Sequence, residues 1–331
     1  MKKIISIFIF IFSISLFSFS LVKYYENLVI NYSFENVYTG RIEDKMFLAK
    51  NLFSKDYLII VPNIYNFSEG IFIDKKDDST YFSVSNTNSF SNKFCIFATI
   101  FNKDLIIYRN KIFVTYSDFY IINFFSGYEN EKKTYFFIGL LNKTFDINGV
   151  LGKFSFDEFK GIDITKSVEF GTNLTDYPFY FSQYESDDFK GYLVLSLIEK
   201  NYTRDFNDLK LTFESKRFNS DSILVCFFDS NMDLKKYFAL RFPRNIIDFS
   251  VVRKSLDSVL LRVDFVDRIS GYYIATNFVN ISFNDTYITG TSYDVFNQFY
   301  LDNFVGVNWN KLQFNSNDVN VTFKYVKLIR R

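Results

Sequence analysis

Gly191-Tyr192-Leu193-Val194-Leu195-Ser196-Leu197-Ile198 is a run of strand length in which, Ser196 apart, no polar residue interrupts the apolar ones. Such a run reads as a strand buried on both faces, whereas a half-buried strand alternates. Around it the alternating kind recurs. Leu209, Leu211 and Phe213 stand against Lys210 and Thr212; Leu261, Val263 and Phe265 against Arg262 and Asp264; Val319, Val321, Phe323 and Tyr325 against Asn320, Thr322 and Lys324. This period of two predicts strands with one face on a core. Turn residues punctuate the chain at Asn63, Ser68-Glu69-Gly70, Lys75 to Asp78, Ser126-Gly127 and Arg268 to Gly271, and Asn148-Gly149 is a hairpin marker. No window of useful length shows the 3.6-residue spacing of a capped amphipathic helix. Many strands with turns and no helices predict an all-β chain built of antiparallel β-sandwiches of jelly-roll type.

Composition removes whole classes of chemistry. The 331 residues contain no histidine, the usual general base, proton shuttle and metal ligand near neutral pH. Ser-His-Asp and Cys-His catalysis and histidine-bearing zinc sites are thereby excluded. Two cysteines, Cys95 and Cys226, cannot make a four-cysteine zinc site; they form a disulfide or remain buried thiols, and a bridge would have to join two predicted domains. Thirty-eight basic against 37 acidic residues give a formal charge of +1, so nucleic acid and other polyanions are not expected partners. Forty-five phenylalanines and 24 tyrosines against one tryptophan, with abundant Lys, Asn and Ile, reflect A/T-rich codons, which weakens the link between any one ring and a ligand. The same bias inflates the eight Asn-x-Ser/Thr sequons, which matter only in a glycosylating host.

Residues 1–20 read as an export signal: Met1-Lys2-Lys3 supply the charge, residues 4–17 the apolar stretch, and Ser18 and Ser20 the small residues before a cut after Ser20. Retention is the alternative, since apolar character continues through Leu21-Val22 towards the roughly 20 residues that span a bilayer. Either way the body is expected outside the cytoplasm, secreted or at the cell surface, with membrane contact only if the signal stays as an anchor. The rest divides, on this reading, into 21–214 and 215–331.

Asn27-Leu28-Val29-Ile30-Asn31-Tyr32-Ser33-Phe34-Glu35 resembles the opening strand of carbohydrate-binding modules with a galactose-binding-like jelly roll, which typically begin Asn-Leu-hydrophobic-x-Asn-Gly-small-Phe-Glu. Tyr32 stands where that family has glycine. Asp205-Phe206-Asn207-Asp208-Leu209-Lys210-Leu211 is similar to its closing strand, with Asn207 for the first aspartate; the resemblance covers residues 25–213. Tyr300-Leu301-Asp302-Asn303-Phe304-Val305-Gly306-Val307 resembles the same closing strand, so the second domain could be a duplicate. The resemblance implies glycan binding and a structural calcium ion, for which Glu35 and Asp208 are the positions offered; charge at a strand end is the plain alternative.

A glycan reader needs exposed rings flanked by polar side chains. Two segments have that mix: residues 176–185, with Tyr177, Tyr180 and Tyr184, and residues 297–310, with the single Trp309. Core packing is the alternative for each ring. Adjacent acids, Asp77-Asp78 and Asp187-Asp188, point to opposite strand faces and read as turn charges rather than as the facing pair glycoside hydrolysis needs. The sequence therefore predicts an exported, non-catalytic protein that binds polysaccharide or envelope glycan. A structural cell-envelope or surface-layer component is the first rival and a glycoside hydrolase the second.

Overall fold

The computed structural model describes residues 28–42, 45–52, 58–61, 68–90, 93–114, 119–129, 132–142, 147–157, 161–200, 218–267, 273–295 and 324–328. Among them are strands β1 to β21 and no helix, as the period-two patterning predicts. The strands form five sheets, and every pairing given for them is antiparallel. Within the all-β sandwich class the strand order is that of meanders. Each four-stranded sheet follows chain order, and among the described strands only the β12–β21 pairing is a distant return. The predicted signal segment, Asp208 and Trp309 lie outside the described residues.

Two compact units are present: Met1–Ser117 with Glu158–Ile162, and Asp118–Asp157 with Asp163–Arg331. In the first, β1 (Leu28–Phe34), β2 (Val37–Ile42), β3 (Lys45–Lys50) and β4 (Leu58–Ile60) make one sheet, and β5 (Ser68–Lys75), β6 (Thr80–Phe90), β7 (Lys93–Asn102) and β8 (Ile107–Val114) make the other. Their shared core holds Val37, Met46 and Leu48 from the first sheet against Ile73, Tyr81 and Phe101 from the second. The pairing of β1 slips between Ile30 and Tyr32, which places Asn31 in a bulge, so the segment resembling a module opening continues as a strand without the family's glycine. Lys76 to Ser79 form the turn expected there, with Asp77 accepting the Ser79 and Thr80 amides at 3.0 and 2.8 Å.

The second unit stacks three sheets. The first comprises β9 (Phe119–Glu129), β10 (Lys132–Asn142), β11 (Ile147–Asp157), β12 (Gly161–Gly171) and β21 (Lys324–Leu328). The central sheet is β13 (Thr175–Glu185), β14 (Lys190–Glu199), β15 (Ser222–Asp229) and β16 (Leu234–Arg241); the third is β17 (Ile246–Lys254), β18 (Val259–Asp267), β19 (Tyr273–Ile281) and β20 (Thr286–Val295). Tyr192, Val194, Ile198, Leu224, Cys226 and Phe228 of the central sheet pack on Phe136, Ile138, Leu151, Val168 and Phe170 of the first. The intervening residues point the opposite way. On that side Phe227 meets Phe283 at 5.3 Å, Phe189 stacks on Phe283 at 4.1 Å, and Phe179 meets Phe249 at 4.2 Å.

This arrangement explains the run that decides the fold: after Lys190, every residue of β14 is buried because both of its faces are covered. It also moves the domain boundary. β14 pairs with β15 from Gly191↔Asp229 to Ile198↔Ser222, so the expected division at 214/215 falls between neighbouring strands of one sheet. A strand apolar on both faces requires a layer on each side, and the chain beyond residue 214 supplies one of them.

Three expected turns lie in strands, the first of them Ser68-Glu69-Gly70, which opens β5 and pairs with Thr87, Asn86 and Ser85 of β6. Ser126-Gly127 lies in β9, an edge strand, where a Cβ on Gly127 would come within 2.5 Å of the Gln183 side chain. Gln183 donates to the Tyr128 carbonyl at 2.8 Å and accepts the Tyr128 amide at 3.3 Å, so its side-chain amide satisfies backbone groups of an edge. Asn148-Gly149 lies in β11, opposite Leu141 and Leu140, and the Phe170 ring occupies the space a Gly149 side chain would need.

Cys226 is a free thiol, fully buried. Burial pushes it well above the usual thiol range, and the nearby Asp176 charge adds to this. In a Cys95→Ser variant, Cys226 is therefore expected to resist an aromatic disulfide reagent in native buffer and to react fully in denaturant. A native rate matching that of the unfolded chain would place the thiol at the surface.

Candidate functional site

The sequence-predicted positions scatter. Tyr177 and Tyr184 keep 6 % and 3 % of their surface, so neither offers the exposed ring that sugar stacking needs. Tyr177 faces the side of Leu197, its partner across the sheet, and the Tyr184 hydroxyl accepts the Phe283 amide at 2.8 Å, tying the central sheet to the third. Tyr180 is half-buried, and burial raises its phenol above the ordinary value, with Ser182 partly offsetting the shift. The reason is common to the segment: it forms β13, one strand of a sheet covered on both faces, so its mix of rings and polar groups serves packing. Glu35 is exposed with φ of 53° in the β1–β2 turn, and its carboxylate accepts the Tyr81 hydroxyl at 2.8 Å. Asp187 and Asp188 are exposed residues of the β13–β14 hairpin, and Asp188 accepts Asn284 Nδ2 at 2.6 Å.

The side chains best arranged to meet a ligand are on the third sheet. Its inner face is apolar except for Asn277: Val259, Leu261, Val263 and Phe265 of β18 and Ala275, Val279 and Ile281 of β19 are buried with it. Strict alternation sends Arg262 and Asp264, and their partners Phe278 and Thr276, to the outer face. Register extends the rows. Asp248 pairs with Asp264, Ser250 with Arg262, Gly290 with Phe278, and Asn280 lies between Leu260 and Tyr287.

Arg262 organises this face. Its Nε lies 3.1 Å from each Asp264 oxygen, its Nη2 also donates to Asp264 Oδ2, and Asp248 Oδ2 is 3.8 Å from the same nitrogen. Thr276 Oγ1 donates to Asp264 Oδ1 at 2.7 Å. The forked guanidinium is thus fixed by a nearly buried carboxylate while its side chain stays 41 % exposed. Beside it stand the half-buried Phe278, the exposed Tyr287 and the half-buried Asn280. Gly290, opposite Phe278, leaves the row open, since a Cβ there would meet nothing within 4 Å.

Rings with an accessible surface, a fixed guanidinium and an amide on one sheet face can cover the apolar face of a pyranose and reach its hydroxyls. The alternation of Leu261 to Phe265 announces a polar face on β18, but the cross-strand register that sets Phe278 beside Arg262 and Gly290 is not readable from one strand. Among the described residues no group of three or more Cys, Asp or Glu side chains is placed to hold a metal ion.

The exposed large hydrophobics follow a second pattern. Leu58, Tyr108, Tyr128, Tyr237, Val252 and Tyr287 lie on β4, β8, β9, β16, β17 and β20, each an edge of its sheet among the described strands, while Ile106 precedes β8 and Leu256 lies in the β17–β18 hairpin. Comparison with known proteins finds no matching family model, curated protein or solved structure.

Proposed function

We propose that this chain is an exported, non-catalytic glycan-binding protein whose binding surface is the outer face of the β17–β20 sheet. The supporting observation is Arg262, held by Asp264 and Asp248 on the same sheet face as Phe278, Asn280 and Tyr287. A fixed polar group costs less ordering entropy on binding than a free one. Both aspartates are turned onto Arg262 rather than towards a common point of attack, which favours recognition over hydrolysis. Export rests on the N-terminal residues alone.

Titrating the purified full chain against a panel of soluble polysaccharides by calorimetry tests this reading. Tyr287→Ala and Asn280→Ala are expected each to weaken binding about tenfold, equivalent to about 1.4 kcal/mol, with the unfolding midpoint unchanged. Arg262→Ala is the poorer variant, because it strips the guanidinium from the nearly buried Asp264. Saturable binding that both variants leave intact would remove this face, and a folded chain that binds nothing in the panel would end the glycan reading.

The edge-strand pattern favours one other role, a structural component of the cell envelope that packs edge to edge with further subunits. Self-association with rising concentration, in the absence of glycan, would support it.

A further inference from the structure

The opening strands of three sheets share a local device. β5, β9 and β17 are edges among the described strands, and the register of each slips at an isoleucine: Ile71, Ile122 and Ile247. Each strand also carries an aspartate or asparagine whose Oδ1 accepts the amide of the next residue. Asp74 accepts that of Lys75 at 2.7 Å, Asn123 that of Phe124 at 2.8 Å and Asp248 that of Phe249 at 2.9 Å. Bulges and local side-chain bonds of this kind take edge amides out of use as donors to a further strand.

On β9 the device is doubled. The Gln183 side chain, arriving from β13, donates to the Tyr128 carbonyl at 2.8 Å and accepts the Tyr128 amide at 3.3 Å. One donor and one acceptor are what a peptide unit offers, so Gln183 stands where a residue of an added strand would pair. Both peptide groups of Tyr128 therefore face away from β10, and alternation turns those of Ser126 and Phe124 the same way. Side chains thus engage two of these three outward amides, Phe124 and Tyr128. The Tyr128 ring is 68 % exposed, which places this edge at the surface. Such cover matters because β9 is an 11-residue strand with one charge, Glu129 at its end, and no proline. Long, uncharged edges without proline are the ones that recruit further strands. We propose that Gln183 and Asn123 form an autoinhibitory clasp on β9, and that the strand it keeps out is β9 of a second copy of this chain. Identical edges meet antiparallel about a two-fold axis, so the outward residues of each copy pair with those of the other. The clasp does not rest on the glycan reading.

Sedimentation velocity of the full chain over a concentration series tests this. Gln183→Met keeps the length of the side chain and removes both hydrogen bonds that association must otherwise break. It is expected to self-associate at about tenfold lower concentration than the unaltered chain, with cooperative unfolding retained and the Ser126 amide gaining protection from hydrogen exchange as the complex forms. Adding Tyr128→Pro, which removes the exposed edge donor, is expected to abolish that gain. A folded Gln183→Met variant that associates no more readily than the unaltered chain, or a gain that Tyr128→Pro leaves intact, overturns the proposal. Should Gln183→Met fail to fold, Gln183→Ala is judged by the same comparison.

Discussion

Phe227→Ala is expected to lower the free energy of unfolding by about 3–5 kcal/mol, measured by urea titration followed by circular dichroism. Phe227 is fully buried, and its ring sits among Tyr184 at 5.2 Å, Phe189 at 6.0 Å, Phe238 at 6.4 Å and Phe283 at 5.3 Å. Three of these belong to the central sheet or its hairpin, and Phe283 comes from the hairpin after β19, so truncation opens a cavity where two layers meet. Aromatic edge contacts are lost along with apolar area. Phe227→Leu, which keeps most of the volume, should cost about 1 kcal/mol. A loss below about 1 kcal/mol for the alanine variant would show that the central and third sheets do not share this core.

Gly191→Ala is expected to destabilise by about 3 kcal/mol or more, although it adds a single methyl group. A Cβ on Gly191 would lie 2.0 Å from the Phe228 carbonyl oxygen, 2.8 Å from the Asp229 Cα and 2.9 Å from the Phe228 carbonyl carbon. All three are backbone atoms of β15, the strand paired with Gly191, so no rotamer change relieves the contact. Gly290→Ala is the matched comparison: the same change in a strand, into empty space, should stay within about 0.5 kcal/mol. Similar unfolding midpoints for the two variants would contradict the close approach of β14 and β15.

These two residues show how far the sequence carries the fold. The run from Gly191 to Ile198 is legible as a doubly covered strand because its chemistry is uniform, and the alternation of Leu261 to Phe265 is legible because one strand contains the whole pattern. Gly127 and Gly149 mislead for a physical reason. Glycine marks turns through its conformational freedom, but here it makes room for Gln183, which arrives from β13 of another sheet, and for Phe170 of the neighbouring strand β12. The same distinction governs the candidate surface. Tyr177 and Tyr184 sit in a ring-rich segment that looks like a ligand platform, yet burial is decided by which sheets lie above and below it. The outer face of the third sheet draws on β17, β18, β19 and β20 at once, and only register assembles it.

The chain-order pairing of these sheets has a consequence for how the protein reaches its native state. Each tight hairpin joins strands that are close in sequence, so loop-closure entropy is small at those steps. Sheets can then assemble one after another as the polypeptide emerges, each needing only residues already delivered. The β12–β21 pairing is the exception: it joins Ser167 to Leu328 and must wait for the last strand. Acquisition of structure is thus vectorial until that final, slow closure, and the time between completion of the meanders and the arrival of β21 is when an open edge at β12 is exposed to other chains.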